Sequence, residues 1–353
     1  GRAEGVGTLA APVARQVAAA HAQAESMLYN DLEGVIDAAE TRQPLNNIRT
    51  EATAQITNAG QRENVETKID NLRKTVEQAA QNPTPENIGT ARTQSEELRT
   101  TLGEIGVKGE TVANSMNRLE GVIDAAETRQ SIDDIRQEAR SQVADAGQIA
   151  KIDTRIESLR QAAGLAVKNP TPENIGTART QSEELRTTLG EIGVKGETVA
   201  NSMNRLEGVI DAAETRQSID DIRQEARSQV ADAGQMTKVD TNIDNLREAV
   251  KQAVQNPTPE NIDTARTQSQ ELRTTLSNNG VRGDTIANNM TKLEGAIDTA
   301  DTRQAVNGIR TEATAQIMDR TGDANQAAKV EARIDDLREA VKQAVQNPTP
   351  ENI

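Results

Sequence analysis

The heptapeptide NPTPENI occurs at residues 82–88, 169–175, 256–262 and 347–353. A long exact repeat of this kind limits the fold more than any other feature of the chain. The first three copies stand 87 residues apart and the last gap is 91. The tripeptide LEG starts at Leu32, Leu119, Leu206 and Leu293, at intervals of 87 throughout. The four added residues therefore lie beyond Leu293. Aligning the copies places them near 319–325, in DRTGDAN, which reads as a lengthened loop. Residues 82–148 and 169–235 are identical at all 67 positions, the mark of a recent tandem duplication.

A fixed period of this size signals an array of supersecondary units. The expected organisation is an N-terminal helix with a partial repeat (1–81), then repeat units at 82–168, 169–255 and 256–346. The last of these carries the insertion, and a further unit opens at 347–353. Because the chain ends on the opening of a unit and begins at Gly1 without Met, it reads as a processed or excised segment of a longer protein.

Each unit has the spacing of a helical bundle. Thr84 suits an N-cap, Pro85 the first helical position, and Glu86 the positive helix end. Ile88, Ala91, Leu98, Leu102 and Ile105 then follow at helical intervals, and Gly106 suits a left-handed C-terminal cap before Val107. Val112, Met116, Leu119, Ile123 and Ala126 mark a second helix. A third is expected from Ser131, which has capping-box spacing to Asp134, with Ile132, Ile135, Ala139 and Val143 on one side. The first copy carries Pro44 at the position of Ser131, which points to a helix break there. Ile149, Ile152, Ile156, Leu159 and Ala163 mark the last helix. The fold class is thus all-α: tandem 87-residue bundles of three to four helices in an elongated array.

Periodicity matters because composition alone is ambiguous. The chain has no Phe, Trp or Cys, one Tyr (Tyr29) and one His (His21). Leu, Ile and Val make up about 19% of it, close to the ~20% below which a charged chain is expected to be disordered. Disordered sequences show no helical phase, and this one does.

The same inventory argues against enzymes. Without Cys there is no thiol nucleophile or thiolate metal site, and the single imidazole has no partner. Tyr29 is read as a packing residue. The acidic neighbours Glu96–Glu97 and Asp133–Asp134 point about 100° apart on a helix and read as solvated face. Thr90 and Thr101 read as surface threonines. No catalytic residue, metal site or cofactor is expected. A formal net charge of -15 disfavours nucleic acid, and no apolar run is long enough to insert in a membrane.

One stretch offers a contact chemistry. The segment VRGDT at 281–285 contains Arg282, Gly283 and Asp284, where the preceding units carry Lys108-Gly109-Glu110 and Lys195-Gly196-Glu197. The tripeptide resembles the integrin-recognition motif. That resemblance implies an Arg reaching an acidic receptor pocket and an Asp carboxylate completing the receptor's metal site. Without it, the stretch is a helix-start turn with an acid at the dipole.

The expected function is a non-enzymatic spacer or stalk in a larger bacterial cell-surface or secreted adhesin-like protein, located outside the cell or on its surface. A protein partner, either a host receptor or another copy, is compatible with this. The alternatives are a secreted effector scaffold that binds a host protein and a cytoplasmic filament-forming protein.

Overall fold

The computed structural model describes residues 31–321 and 324–346. Every regular element among them is helical, with no strand. The chain divides into two compact units, Gly1–Lys168 and Asn169–Ile353. In the first, a helical segment at 31–40 is interrupted at Thr41. It is followed by α1 (Arg42–Gln55), α2 (Ala59–Gln81), α3 (Pro85–Glu104), α4 (Glu110–Gln142) and α5 (Ala146–Lys168). The second contains α6 (Pro172–Ile192), α7 (Glu197–Gln229), α8 (Ala233–Gln255), α9 (Pro259–Asn278), α10 (Asp284–Thr321) and α11 (Ala324–Gln346).

The repeated heptapeptide is a turn with its own hydrogen bonds. Thr84 has extended backbone and its Oγ1 accepts the Asn87 N–H at 3.2 Å, with Pro85 opening the helix. The Asn87 amide donates to the Asn82 carbonyl at 2.8 Å. Thr171 and Thr258 repeat the cap. At the far end of α3, Gly106 takes φ +79° and Val107 donates back to the Leu102 carbonyl at 2.9 Å. This left-handed closure satisfies a helix-end carbonyl and buries Val107.

Two expectations change. Ser131 does not begin a helix: α4 runs 33 residues without a break, and Ser131 is buried in its middle. No Gly or Pro lies between 122 and 142 to interrupt the backbone ladder. A capping side chain stabilises only N–H groups that lack a carbonyl one turn back, and here that carbonyl is present. The break does occur in the first copy, where Pro44 sits in the first turn of α1 just after Thr41. Proline has no N–H to bond one turn back and its ring collides there.

The added residues near 319–325 also fail to make the expected loop. α10 is 38 residues long and α11 starts at Ala324, so most of the insertion is extra helix. Gly322 and Asp323 lie outside the described residues. The Asp-Ala-x-Gln start of the last helix is displaced to 323–326, and Ile317, Met318, Asp319, Arg320 and Thr321 contain no helix breaker.

Each unit has a four-helix core. The first gathers Leu45 and Ile48 of α1, Ile69 and Leu72 of α2, Leu98 and Leu102 of α3, and Met116, Leu119 and Ile123 of α4. The second gathers Ile219 and Ile222 of α7, Ile243 and Leu246 of α8, Leu272 and Leu276 of α9, and Met290, Leu293 and Ile297 of α10. Each core takes two helices from before an NPTPENI turn and two from after it. The turn therefore lies inside a bundle. The long helices α4 and α10 give their first halves to these cores and then pair with the helix that follows, α5 or α11.

Glycine allows helices to approach closely. A Cβ added at Gly208 would lie 2.7 Å from the Val254 carbonyl oxygen, whereas at Gly295 no described atom lies within 4 Å. Gly208→Ala is expected to cost about 1–3 kcal/mol through overpacking. Gly295→Ala should gain up to about 1 kcal/mol of helix propensity. Thermal unfolding of the two variants checks this; shifts of the same sign would refute the contact.

Candidate functional site

The sequence-marked turn is exposed. Arg282, Gly283 and Asp284 all face solvent, with Gly283 at φ +129° and Asp284 as the first residue of α10. The backbone is gripped from α7: Gln229 accepts the Arg282 N–H at 2.9 Å and donates to its carbonyl at 2.7 Å. In the first unit Gln55 grips Lys108 in the same way, at 3.0 and 2.9 Å. The clamp is thus shared by the RGD turn and the KGE turn at 108–110, and what distinguishes 282–284 is its side-chain chemistry.

A larger charged cluster, not singled out from the sequence, lies along the long helices. In the first unit Asp37 is buried and paired with Arg129 and Lys168. Arg129 also donates to the Ala80 carbonyl at the end of α2, at 2.8 Å. One turn before Asp37, Glu33 meets Arg160 at 2.7 Å. The second unit repeats the two arginine contacts two periods further on. Arg303 lies 3.0 Å from Asp211 and donates to the Val254 carbonyl at 3.1 Å, while Arg338 pairs with Glu207. The Arg303–Asp211 approach is a charge contact without directed hydrogen-bond geometry.

In the second unit the opposite side of the acidic pair Glu207–Asp211 is held by the preceding helix, α6, and α3 holds Glu120 and Asp124 of α4 in the same way. Arg179 reaches Asp211 at 2.9 Å and Glu214 at 2.6 Å, and Arg186 reaches Glu207 at 2.7 Å. In the first unit Arg92 meets Asp124 at 2.8 Å and also Glu127, and Arg99 meets Glu120 at 3.1 Å. Burial alone would lower the Arg92 and Arg179 pKa values, but their paired carboxylates outweigh it and hold both above the ordinary value. Arg338 goes the other way. Burial, together with the nearby cations Arg186, Arg303 and Arg310, overcomes Glu207 and brings it down to about 10. It remains charged at neutral pH. The arrangement binds helix to helix.

A cleft of about 770 Å³ in this unit is lined by Arg186, Arg310, Glu183, Glu331 and Asp336 among others. It carries charges of both signs, and it holds no Cys or His. Among the described residues no group of three or more metal-ligating side chains converges, and no helix is long and apolar enough to cross a membrane.

The other sequence candidates are dispersed. Asp133 pairs with Arg136 at 3.3 Å, whereas Asp134 accepts from Gln130 at 2.8 Å, so the neighbours face different partners and are half-buried, not fully solvated. Glu97 pairs with Lys68 at 3.2 Å. Thr90 is exposed, but Thr101 is buried and bonds the Glu97 carbonyl. His21 and Tyr29 lie outside the described residues. The signal for the missed cluster was present as Glu and Asp four apart inside an apolar seam, followed by Thr-Arg-Gln. No family model, curated protein or solved structure matches the chain.

Proposed function

We propose that the chain is a non-enzymatic spacer built of tandem 87-residue helical repeats, part of a larger bacterial cell-surface or secreted adhesin-like protein. The observation that carries this reading is the recurrence of one buried latch. Arg129 with Asp37 and the Ala80 carbonyl has its counterpart in Arg303 with Asp211 and the Val254 carbonyl. Charged groups buried at such positions fix one register between consecutive long helices, and each further repeat can be added by the same contact. The function is then reach, set by repeat number, with an acidic surface that keeps the array soluble.

Small-angle scattering on chains carrying one, two or three copies of the 87-residue segment tests this. The maximum dimension is expected to grow by a constant increment per copy. Dimensions that do not grow with copy number would sink the reading.

The exposed Arg282-Gly283-Asp284 turn adds a contact within this reading. Surfaces coated with the chain are expected to hold integrin-bearing cells, and Asp284→Ala to release them. Adhesion unchanged by the substitution removes the turn from the function. The effector-scaffold alternative calls for an apolar patch repeated in every unit. Leu32, Val35 and Ile36 are exposed, but their counterparts Leu119, Val122 and Ile123 are core residues, which does not favour it.

A further inference from the structure

We propose that Gln229 is the positioning residue of the Arg282-Gly283-Asp284 turn, and that the same clamp at Gln55 makes the turn at 108–110 a ready scaffold for the same contact. The inference rests on the receptor reading of Arg282-Gly283-Asp284 and adds to it what holds the peptide in shape.

A free tripeptide must be ordered by whatever reads it, and the ordering subtracts from affinity. The turn at 282–284 is already ordered from three directions. Before it, Val281 is buried and donates to the Leu276 carbonyl at 2.9 Å. After it, Asp284 opens α10, and Ala287 donates to the Gly283 carbonyl at 3.1 Å. Between them the Gln229 amide bonds both backbone groups of Arg282. The backbone is held while Arg282 and Asp284 stay exposed.

The glutamine is itself aimed. Its Nε2 also donates to Glu225, one turn earlier on α7, at 2.6 Å. Both amide hydrogens are therefore directed, one to that carboxylate and one to the Arg282 carbonyl, which leaves the amide oxygen for the Arg282 N–H. A glutamate of the same shape would lack both donors. It would also set a negative charge against Glu225 and the Arg282 carbonyl.

The first unit repeats every part. Val107 is buried and donates to the Leu102 carbonyl at 2.9 Å, and Ala113 donates to the Gly109 carbonyl at 3.1 Å. Gln55 clamps Lys108, and Glu51 accepts from Gln55 at 3.1 Å. Gly109 and Gly283 take φ +144° and +129°, a region that glycine enters without strain. The two turns differ in Lys108 for Arg282 and Glu110 for Asp284. Lysine offers a point charge where arginine offers a planar fork, and glutamate carries its carboxylate one methylene further out. Position is thus assigned to the glutamine, and specificity to the two charged side chains.

Adhesion of integrin-bearing cells to surfaces coated with the 353-residue chain tests the proposal, with amide hydrogen exchange and thermal unfolding on the same variants. Gln229→Glu is expected to raise the coating density needed for half-maximal adhesion by about tenfold. It should also speed exchange of the Arg282 amide. The melting temperature should hold, because Gln229 is exposed and outside the core. In a chain carrying Asp284→Ala, the pair Lys108→Arg and Glu110→Asp should restore adhesion, and adding Gln55→Glu should weaken it again. Adhesion that Asp284→Ala abolishes but Gln229→Glu leaves intact overturns the positioning role alone. A graft at 108–110 that restores nothing overturns the shared scaffold. A parent chain that holds no cells overturns the receptor reading and this inference with it.

Discussion

Asp211→Ala is expected to destabilise the second compact unit by about 3–5 kcal/mol, while Asp298→Ala changes it by less than about 1 kcal/mol. The two aspartates occupy the same position of the repeat. Asp211 has a side chain only 5% exposed and lies between Arg179 and Arg303, the latter 2% exposed. Removing its carboxylate leaves the buried Arg303 guanidinium without a counter-charge, held only by carbonyl dipoles. Asp298 touches Arg266 at 3.1 Å, but both side chains are about half in water, where solvation replaces whatever the pair loses. Urea unfolding followed by circular dichroism, with native-state hydrogen exchange to assign the affected helices, gives both values. Equal effects would mean that the latch around Asp211 does not hold the helices.

Ser131→Pro is the second large effect, expected at about 3 kcal/mol or more. It places a proline where α4 is continuous and buried, with Ile132 and Ile135 fully enclosed beside it. The ring removes one backbone bond and collides with the preceding turn, and the enclosed neighbours limit relief by bending. The first copy already carries this change as Pro44, and there the helix breaks at Thr41. The reciprocal Pro44→Ser should join the 31–40 segment to α1 and raise the helical signal. A melting temperature unmoved by Ser131→Pro would show that the junction tolerates a break in any copy.

The helix starts and ends were legible because they depend on near neighbours. Thr84, Pro85 and Asn87 satisfy one another within a few residues, as do Leu102, Gly106 and Val107. The core positions followed from spacing for the same reason: Ile88, Leu98, Met116 and Leu119 repeat at helical intervals and are buried. Ser131 misled because its capping signal is also local, and a local signal does not report whether the preceding turn continues. The cluster of Asp37, Arg129 and Lys168 was hidden because its members are separated by 92 and 131 residues. No helical period links them.

The sequence by itself determined an all-helical chain, its NPTPENI turns and most of its buried apolar seams. These follow from backbone capping and periodic burial, which act over a few residues. Only the tertiary structure decided that α4 and α7 pass unbroken through the Ser131 and Ser218 positions, and that each core closes across an NPTPENI turn. It also decided which carboxylates lie inside. Glu207 and Glu294 have matching sequence neighbours but unequal exposure, because one is covered by Arg338 and the other is not. Whether a charge is buried depends on what packs over it, and that is a property of distant segments meeting in space.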